Sequence, residues 1–329
     1  MNPRTDSTVH GTRNNAQVEM SPAQTFFLHS KPAIINAEKS YILNQDRNCP
    51  MKRLKNTREK ALQASQAYYT HRAHYYNLMA ERQKGPAKMT KQEVDFIEHA
   101  FNAEATRPVR KVLDVACGSG RHISELAKRG YECTGWDFTP ERIKLAKERV
   151  KREGLSIQLQ QGDATQLNYE NEFDAVLALY VLFLLPNDDD VSKCLRLIHR
   201  ALRSGGILVS NIGNPFFTGK SWFSPQGISE GLFVNEESAT GIHHTEIIRL
   251  KDFDPVHGVA WWQETSIIEA PDGTHTFRDQ ERVRLLTYWD TMHYLQLAGF
   301  KEIKCYPDWK TNSPQKPKAE TLIFVAKKD

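Results

Sequence analysis

The fold of this chain is decided by the stretch KVLDVACGSGRH at residues 111–122. Its first half is apolar except for Lys111 and Asp114, as expected of a buried strand, and its second half is a turn that contains Gly118 and Gly120. Apolar residues then recur at helical spacing. Glycine lets a backbone turn tightly and approach a ligand, and the unpaired N–H groups that begin a helix favour an anionic group. The stretch therefore predicts a strand, a ligand-binding loop and a helix, with a carboxylate beside the loop that suits a zwitterionic amino-acid group.

The alternation of strands and helices continues beyond this stretch. Further strands are predicted at residues 132–136, 157–161, 173–179 and 207–210. Thr139 is the predicted capping residue of one intervening helix, and Asp188–Asp190 are predicted to cap another. Because repeated β-α alternation gives right-handed crossovers, the chain is predicted to form an α/β fold with a doubly wound, mostly parallel sheet.

The segments around this alternation are predicted to form distinct parts of the molecule. Residues 1–50 are polar and lack periodicity, which predicts a disordered N-terminal extension, and Met51 is an alternative start of translation. Residues 51–105 are predicted to be helices that cover the site, and residues 106–329 to be the core domain. After Asn211 the pattern changes to alternating strands, so a β-rich insertion is expected at about residues 212–286.

Composition and charge exclude several classes of protein. The net charge of +4 over 329 residues does not indicate a nucleic-acid or membrane partner. No apolar run has transmembrane length, and the first residues lack the features of a secretory signal. Five scattered cysteines without CxxC spacing predict reduced thiols, and no metal-ligand spacing is evident. We expect a cytoplasmic monomer or homodimer without a metal, a membrane or nucleic acid as partner.

Three carboxylates at predicted strand ends narrow the choice of ligand. Asp114, Asp137 and Asp163 follow the first three strands, and an open α/β sheet binds its ligand beyond these carboxyl ends. Asp137 suits ribose hydroxyls and Asp163 suits the exocyclic amine of adenine, although either could instead cap a helix or turn. A nicotinamide dinucleotide site normally has a third glycine three residues after Gly120, where this chain has Ile123. The pattern favours a nucleoside ligand other than NAD.

These elements, in this order, resemble the class I S-adenosylmethionine-dependent methyltransferases over about residues 65–329. The segment DVACGSG at 114–120 is similar to the family's first motif, GWD at 135–137 to its ribose acid, and GDA at 162–164 to its adenine contact. The resemblance implies S-adenosylmethionine as cofactor and a Rossmann-like sheet of seven strands with an antiparallel terminal strand. It also implies a set of cofactor-binding residues: Asp114, Ala116, Gly118, Gly120, His122, Asp137, Phe138, Gly162, Asp163, Ala164 and Leu179.

Within the family, the chain is most similar to small-molecule methyltransferases of the sugar-amine and glycine N-methyltransferase type. The similarity rests on a tyrosine-rich N-terminal helix and on the β-rich insertion, and it implies methyl transfer to a small molecule, foremost to an amine nitrogen. Tyr69 and Tyr76 are candidates to line the methyl-transfer region by this resemblance, and Tyr180 by its position after the fourth predicted strand. Packing of each ring with a satisfied hydroxyl is the alternative.

An amine must be neutral to attack, so a base or a desolvating pocket is expected near it. His122 is one candidate base, with contact to the cofactor carboxylate as its competing role. His243 and His244 are two more, although they point to opposite faces of a strand, so that at most one of them faces a pocket. Trp261 and Trp262 alternate in the same way, so that one fills the core and the other is expected to wall the substrate cavity. Trp261 and Arg284 are the candidates to bind the acceptor, with core packing and a structural ion pair as their alternatives.

Other functions remain open at this point. The chain could methylate RNA or protein, or bind the cofactor without catalysis. The Asn/Asp-Pro-Pro-aromatic motif of base amino-methyltransferases is absent at residues 179–182, and the similar NPFF at 214–217 follows a different strand. The basic run after Met51 keeps an RNA substrate possible.

Overall fold

The structure is a computed structural model that describes residues 58–82, 84–216, 231–237, 242–311 and 319–329, with side chains described for all of these except 76–88 and 231–237. The predicted disordered extension at residues 1–50 and the first part of the basic run after Met51 lie outside the described residues. Residues 58–82 and 84–104 form two helices, as the periodicity predicts.

The secondary structure follows the predicted order. The helices are α1 (Arg58–Arg82), α2 (Lys84–Glu104), α3 (Arg121–Lys128), α4 (Pro140–Arg152), α5 (Asp188–Ala201) and α6 (Tyr288–Leu297). The strands are β1 (Lys111–Val115), β2 (Glu132–Asp137), β3 (Gln158–Gln161), β4 (Phe173–Ala178), β5 (Leu202–Gly213), β6 (Gly231–Glu237), β7 (Ile242–Asp254), β8 (Val259–Ala270), β9 (Gly273–Arg284), β10 (Lys301–Pro307) and β11 (Thr321–Lys327). Single 3₁₀ turns cover Ala164–Gln166 and Leu182–Leu184.

Seven of the strands form one sheet in the order β10-β11-β5-β4-β1-β2-β3. Strands β1 to β5 pair in parallel, whereas β11 runs antiparallel to both of its neighbours, β5 and β10. The predicted fold class, a mostly parallel seven-stranded sheet with an antiparallel terminal strand, is confirmed.

Both faces of this sheet are buried because successive side chains of a strand point to opposite sides. In β1, Leu113 packs into a core cluster with Ile198 of α5, and Val112 packs into a second cluster with Ile97 of α2 and Ile123 of α3. The central strands are therefore covered by helices on both sides, which leaves the carboxyl edge of the sheet as the place where a ligand can reach it.

Two predicted helix caps differ from the structure. Thr139 is the N-cap of α4, but its side chain makes no capping hydrogen bond; instead its backbone N–H donates to Asp137 Oδ1 at 2.8 Å. Helix α5 is capped by Asn187, whose side chain accepts from the N–H of Asp190. Asp188–Asp190 form the first turn, where negative charge also suits the helix dipole.

Strands β6 to β9 form a second, antiparallel sheet in sequence order, inserted after β5. Helix α1 packs on one face of it: Arg72 pairs with Asp279 and Glu264, and the hydroxyl of Tyr68 donates to Glu264. Cross-strand partners share a face, so the register assigns the residues of this inner face. Among them are His244, Glu246, Trp262, Glu264, Ser266, Asp279 and Glu281.

Candidate functional site

The loop between β1 and α3 is shaped by three residues with positive φ: Ala116 at 66°, Gly118 at 57° and Gly120 at 77°. A positive φ is uncommon for alanine, so the surrounding structure must hold this loop. The Ala116 N–H donates to the carbonyl of Trp136 at 2.7 Å, and the Gly118 N–H donates to Asp137 Oδ2 at 2.8 Å. The end of β2 therefore holds the glycine loop in place.

Near this loop, Asp114 and Arg142 each have one buried side-chain atom without a hydrogen-bond partner among the described residues. Among the described residues, nothing hydrogen-bonds to Asp114 Oδ2 or to Arg142 Nε. Burial raises the pKa of Asp114 to about 8, against the opposing charge of Arg121. The Arg142 guanidinium lies so close to Gly118 that a Cβ there would be 2.9 Å from Nη1. An unpaired buried polar group is costly, and these two fit the ammonium and carboxylate groups of an amino acid.

The other two strand-end carboxylates are held at the same edge of the sheet. Both oxygens of Asp137 accept backbone N–H groups, from Gly118 and Thr139, and each retains a lone pair for a ligand. Asp163 Oδ1 accepts from the backbone of Thr165 at 2.7 Å, while Oδ2 accepts from Arg58 of α1 at 2.9 Å. The structure thus brings the three carboxylates to one edge, and their cofactor contacts stay predictions.

The remaining predicted cofactor residues lie around these carboxylates. The Gly162 N–H donates to the carbonyl of Asp137 at 2.9 Å, and Gly162 is packed so closely by Trp136 that a Cβ would be 2.2 Å from its indole. Trp136 is therefore a core side chain, and Phe138 remains half-buried beside it. Ala164 and Leu179 are buried.

His122 and Tyr180 meet at a carboxylate that the sequence did not reveal. Glu93 of α2 is buried, and it accepts from His122 Nε2 at 2.9 Å, from the Tyr180 hydroxyl at 2.8 Å and from Arg121. Burial opposes ionisation, but His122 and Arg121 lower the pKa of Glu93 to about 2. Burial and Arg121 lower the pKa of His122 to about 4, so its imidazole is neutral at pH 7. No motif marks Glu93, because it lies on a helix far from the glycine loop in sequence.

The backbone of Tyr180 is itself unusual. Its φ is 57°, and its N–H donates to Asn211 Oδ1 at 2.8 Å. Burial and Glu93 raise the pKa of its hydroxyl above the usual range, so the group remains a hydrogen-bond donor. Tyr180 is thus fixed after β4 by both its backbone and its side chain.

Tyr69 is connected to the glycine loop through one side chain, Arg142. The Arg142 guanidinium lies 4.3 Å from the centroid of the Tyr69 ring. The Tyr69 hydroxyl donates to Glu281 Oε1 at 3.0 Å, so this tyrosine connects the loop with the inner face of the insertion. The side chain of Tyr76 lies outside the described residues.

Three other predicted site residues do not lie on the inner face of the insertion. His243 is exposed, and the register puts both His243 and Trp261 on the outer face, so that His244 and Trp262 share the face that α1 covers. Period-two alternation predicted that only one residue of each pair faces the site, but it could not say which. Arg284 is also on the outer face and pairs with Asp188, which corresponds to the structural ion pair considered as its alternative.

Arg284 also lines a cavity of about 670 Å³ together with Tyr294 and residues at the turn between β7 and β8. A smaller cavity of about 240 Å³ lies beside it, at the end of β5. Neither cavity is lined by a residue of the glycine loop or of the ends of β2 and β3. These cavities are therefore separate from the cofactor edge.

Within the described part of the chain, no group of three or more His, Cys, Asp or Glu side chains is arranged to hold a metal ion. The four cysteines within those residues have free thiols. No described helix has the length and apolar character needed to cross a membrane.

The core domain is similar in sequence to known methyltransferases. Residues 112–206 match a protein family described as "Methyltransferase domain". YqeM of Bacillus subtilis, which carries the name of a methyltransferase, is 26% identical over 231 residues, covering 68% of this chain and 87% of its own length.

Solved structures share the fold over most of the chain. An S-adenosylmethionine-dependent methyltransferase from Clostridium acetobutylicum superposes with a TM-score of 0.63 at 17% identity, covering 79% of this chain and 99% of its own. CalS10 of Micromonospora echinaspora, an amino pentose methyltransferase with S-adenosylmethionine bound, superposes with a TM-score of 0.57 at 21% identity, covering 78% and 96%.

Proposed function

We propose that this chain, an S-adenosylmethionine-dependent methyltransferase, transfers the methyl group to an amine nitrogen of a small molecule. When bound, the cofactor supplies a methyl group on a positively charged sulfur. The observation that carries the proposal is the position of α1, which lies against the cofactor edge on one side and the inner face of the insertion on the other.

Contacts along α1 support a small acceptor. Arg58 bonds Asp163 after β3 at 2.9 Å, the Thr70 hydroxyl bonds Glu141 of α4 at 2.9 Å, and Tyr69 packs on Arg142. Because these contacts lie along one helix, a folded RNA or protein would have to displace α1 to reach the glycine loop. A small molecule requires no such displacement.

The chemistry of the inner face supports an amine. Tyr69, Trp262 and Glu281 combine aromatic rings with a carboxyl group, which is the lining that attracts an ammonium ion. The fold neighbour CalS10 is described as an amino pentose methyltransferase, and the same class of acceptor suits this lining.

In this reaction the chain's own residues bind, orient and exclude water. Asp114, Asp137 and the glycine loop hold the donor, while α1 and the inner face hold the acceptor nitrogen in line with the methyl carbon. Alignment of two reactants can supply several kcal/mol of the barrier, and the cover provided by α1 keeps water from the reacting groups.

The test is turnover by the full chain. We expect S-adenosylhomocysteine to form, measured by mass spectrometry, with small amines such as amino sugars, amino acids and alkyl amines, and not with the alcohols of the same skeletons. Asp137→Ala serves as a control that should weaken cofactor binding with the fold intact.

Three results would contradict the proposal. Turnover only with RNA or protein would assign a macromolecular acceptor. Tight cofactor binding without turnover of any acceptor would indicate a binding protein. Thermal stabilisation by NAD but not by S-adenosylmethionine would assign an oxidoreductase.

A further inference from the structure

We propose that Glu281 is the catalytic base of this enzyme, taking the proton from the acceptor's ammonium group before methyl transfer. The inference rests on the proposed function, since it requires an amine acceptor, and it assigns a role to a residue that no sequence motif marks.

The position of Glu281 is the first argument. Its Oε1 accepts from the Tyr69 hydroxyl at 3.0 Å, the Tyr69 ring lies 4.3 Å from the Arg142 guanidinium, and Arg142 lies against Gly118. Only two side chains thus separate this carboxyl group from the loop that holds the donor. Among the described residues, Tyr69 is its hydrogen-bond partner, so Oε2 keeps its capacity to accept from a ligand.

The other carboxyl groups of the inner face are committed elsewhere. Asp279 is neutralised by Arg72 and bonded by His71. Glu264 accepts from Tyr68, and burial together with a hydrogen bond to the neighbouring Glu246 raises the pKa of Glu264 to about 10. Within the part of the chain whose side chains are described, no arginine and no second carboxyl group lies within hydrogen-bonding distance of Glu281.

The charged and titratable groups around Glu281 set its acidity. Burial raises its pKa to about 7, and Glu246 of β7 adds to this; the Tyr69 hydrogen bond and the charges of Arg72 and Arg142 oppose it. His244 of β7 also lies on this face, and burial lowers its pKa, so it adds no charge at pH 7. A base whose pKa lies near the working pH is the most effective one.

The step is balanced with the groups already present. The acceptor R–NH₃⁺ gives one proton to the Glu281 carboxylate and becomes R–NH₂. Its lone pair forms the N–C bond as the C–S bond breaks, and the bonding electrons stay on sulfur as the neutral thioether. The product R–NH₂⁺–CH₃ leaves, and the Glu281 carboxylic acid returns its proton to solvent.

The test compares Glu281→Gln with Glu269→Gln, the same change on the outer face of the adjacent strand. With an alkyl amine at saturation, kcat of the wild type should fall about tenfold per pH unit below pH 7 and level off above it. Glu281→Gln should lower kcat by about 10²- to 10⁴-fold and lose this pH dependence. Glu269→Gln should behave as the wild type. Both variants should bind S-adenosylhomocysteine as the wild type does, which verifies that they fold.

An aromatic amine of the same size separates proton transfer from structure. Such an amine is already neutral at pH 7, so Glu281→Gln should methylate it within about threefold of the wild-type rate, because no base is needed. Tyr69→Phe offers a second readout: losing a hydrogen bond that favours the carboxylate raises the pKa of Glu281, so the fall in kcat should begin at higher pH.

The outcomes distinguish this inference from the proposed function. If the wild type methylates amines but Glu281→Gln keeps its rate and pH profile, Glu281 is not the base. An equal loss with alkyl and aromatic amines would assign it a structural role. If the wild type methylates neither class of amine, the proposed function itself has failed.

Discussion

The proposed donor side of the site, at the glycine loop, and the proposed acceptor side, on the inner face of the insertion, are built in different ways. On the donor side, Asp114, Gly118 and Asp137 belong to consecutive β-α units and lie within a short segment of sequence. On the acceptor side, Tyr69 meets Glu281 across 212 positions of sequence, and Arg72 meets Asp279 across 207. The donor side is thus a local product of strand and loop geometry, whereas the acceptor side exists only once α1 docks on the insertion.

The two sides also differ in what their buried charged groups contact. The donor side leaves Asp114 Oδ2 and Arg142 Nε without partners among the described residues. On the acceptor side, Arg72 is fully buried yet bonds to Asp279, Glu264 and Ser266. We infer that the donor side gains its missing contacts from the cofactor, while the acceptor side depends on its contacts for its own assembly.

The strongest test of this difference is Arg72→Met. Removing one partner of a buried ion pair leaves the other charge uncompensated, which costs about 3–5 kcal/mol. We expect the free energy of unfolding to fall by this amount in urea denaturation followed by tryptophan fluorescence.

A double variant provides the control for Arg72. Arg72→Met with Asp279→Leu should recover much of the loss, because the unpaired carboxylate is gone. A loss below about 1 kcal/mol in the single variant, the range of a surface pair, would show that α1 docks without this ion pair and that the comparison is wrong.

Asp114→Asn probes the donor side, where we expect the effect on binding. A hydrogen bond to a charged group is worth about 1.5–3 kcal/mol, so affinity for S-adenosylhomocysteine should fall about 10- to 150-fold in calorimetry. The unliganded protein should not lose stability, because the pKa of Asp114 is raised to about 8 and the amide replaces a carboxyl group that is largely neutral at pH 7.

The same residue predicts a pH dependence. The pKa of Asp114 in the folded, unliganded protein is raised to about 8, so the folded state binds more protons than the unfolded chain between about pH 4 and pH 8, and this group lowers stability as pH rises. Binding an ammonium requires the carboxylate, so affinity should rise by up to about tenfold per pH unit until pH 8. Asp114→Asn should remove this dependence; an unchanged slope would exclude Asp114 as the ammonium partner.

Tyr180→Phe should have the smallest effect. It removes one hydrogen bond to Glu93, which keeps His122 and Arg121, so we expect a loss of about 0.5–1.5 kcal/mol in the free energy of unfolding. Cofactor affinity should stay within about twofold. A much larger change in affinity would mean that the Glu93 cluster belongs to the donor side.

The features of the fold and site that depend on local sequence pattern could be predicted from the sequence. The glycine turn, the three strand-end carboxylates and the order of elements predicted the fold and the cofactor, because a strand end and the loop after it are adjacent in sequence. Alternation alone could not decide between His243 and His244 or between Trp261 and Trp262, since the choice depends on which face α1 covers.

Residues whose role depends on tertiary contacts were missed. Glu93, Arg142 and Glu281 lie in ordinary helix or strand positions, and their burial and partners come from elements far away in sequence. A carboxylate on an alternating strand looks like a solvated side chain until the element that covers it is known.

The position of β11 between β10 and β5 has a consequence for the order of folding. Strand β5 pairs with β11, from Thr321↔Gly213 to Lys327↔Ile207, across more than one hundred positions of sequence. Until residues 321–327 have been synthesised, β5 is an open edge of the sheet, and the whole insertion emerges from the ribosome during that interval. In the nascent chain, the insertion must therefore fold beside a seven-stranded sheet that still lacks β11. The long sequence separation between β5 and β11 predicts that their pairing is a slow, late step of folding.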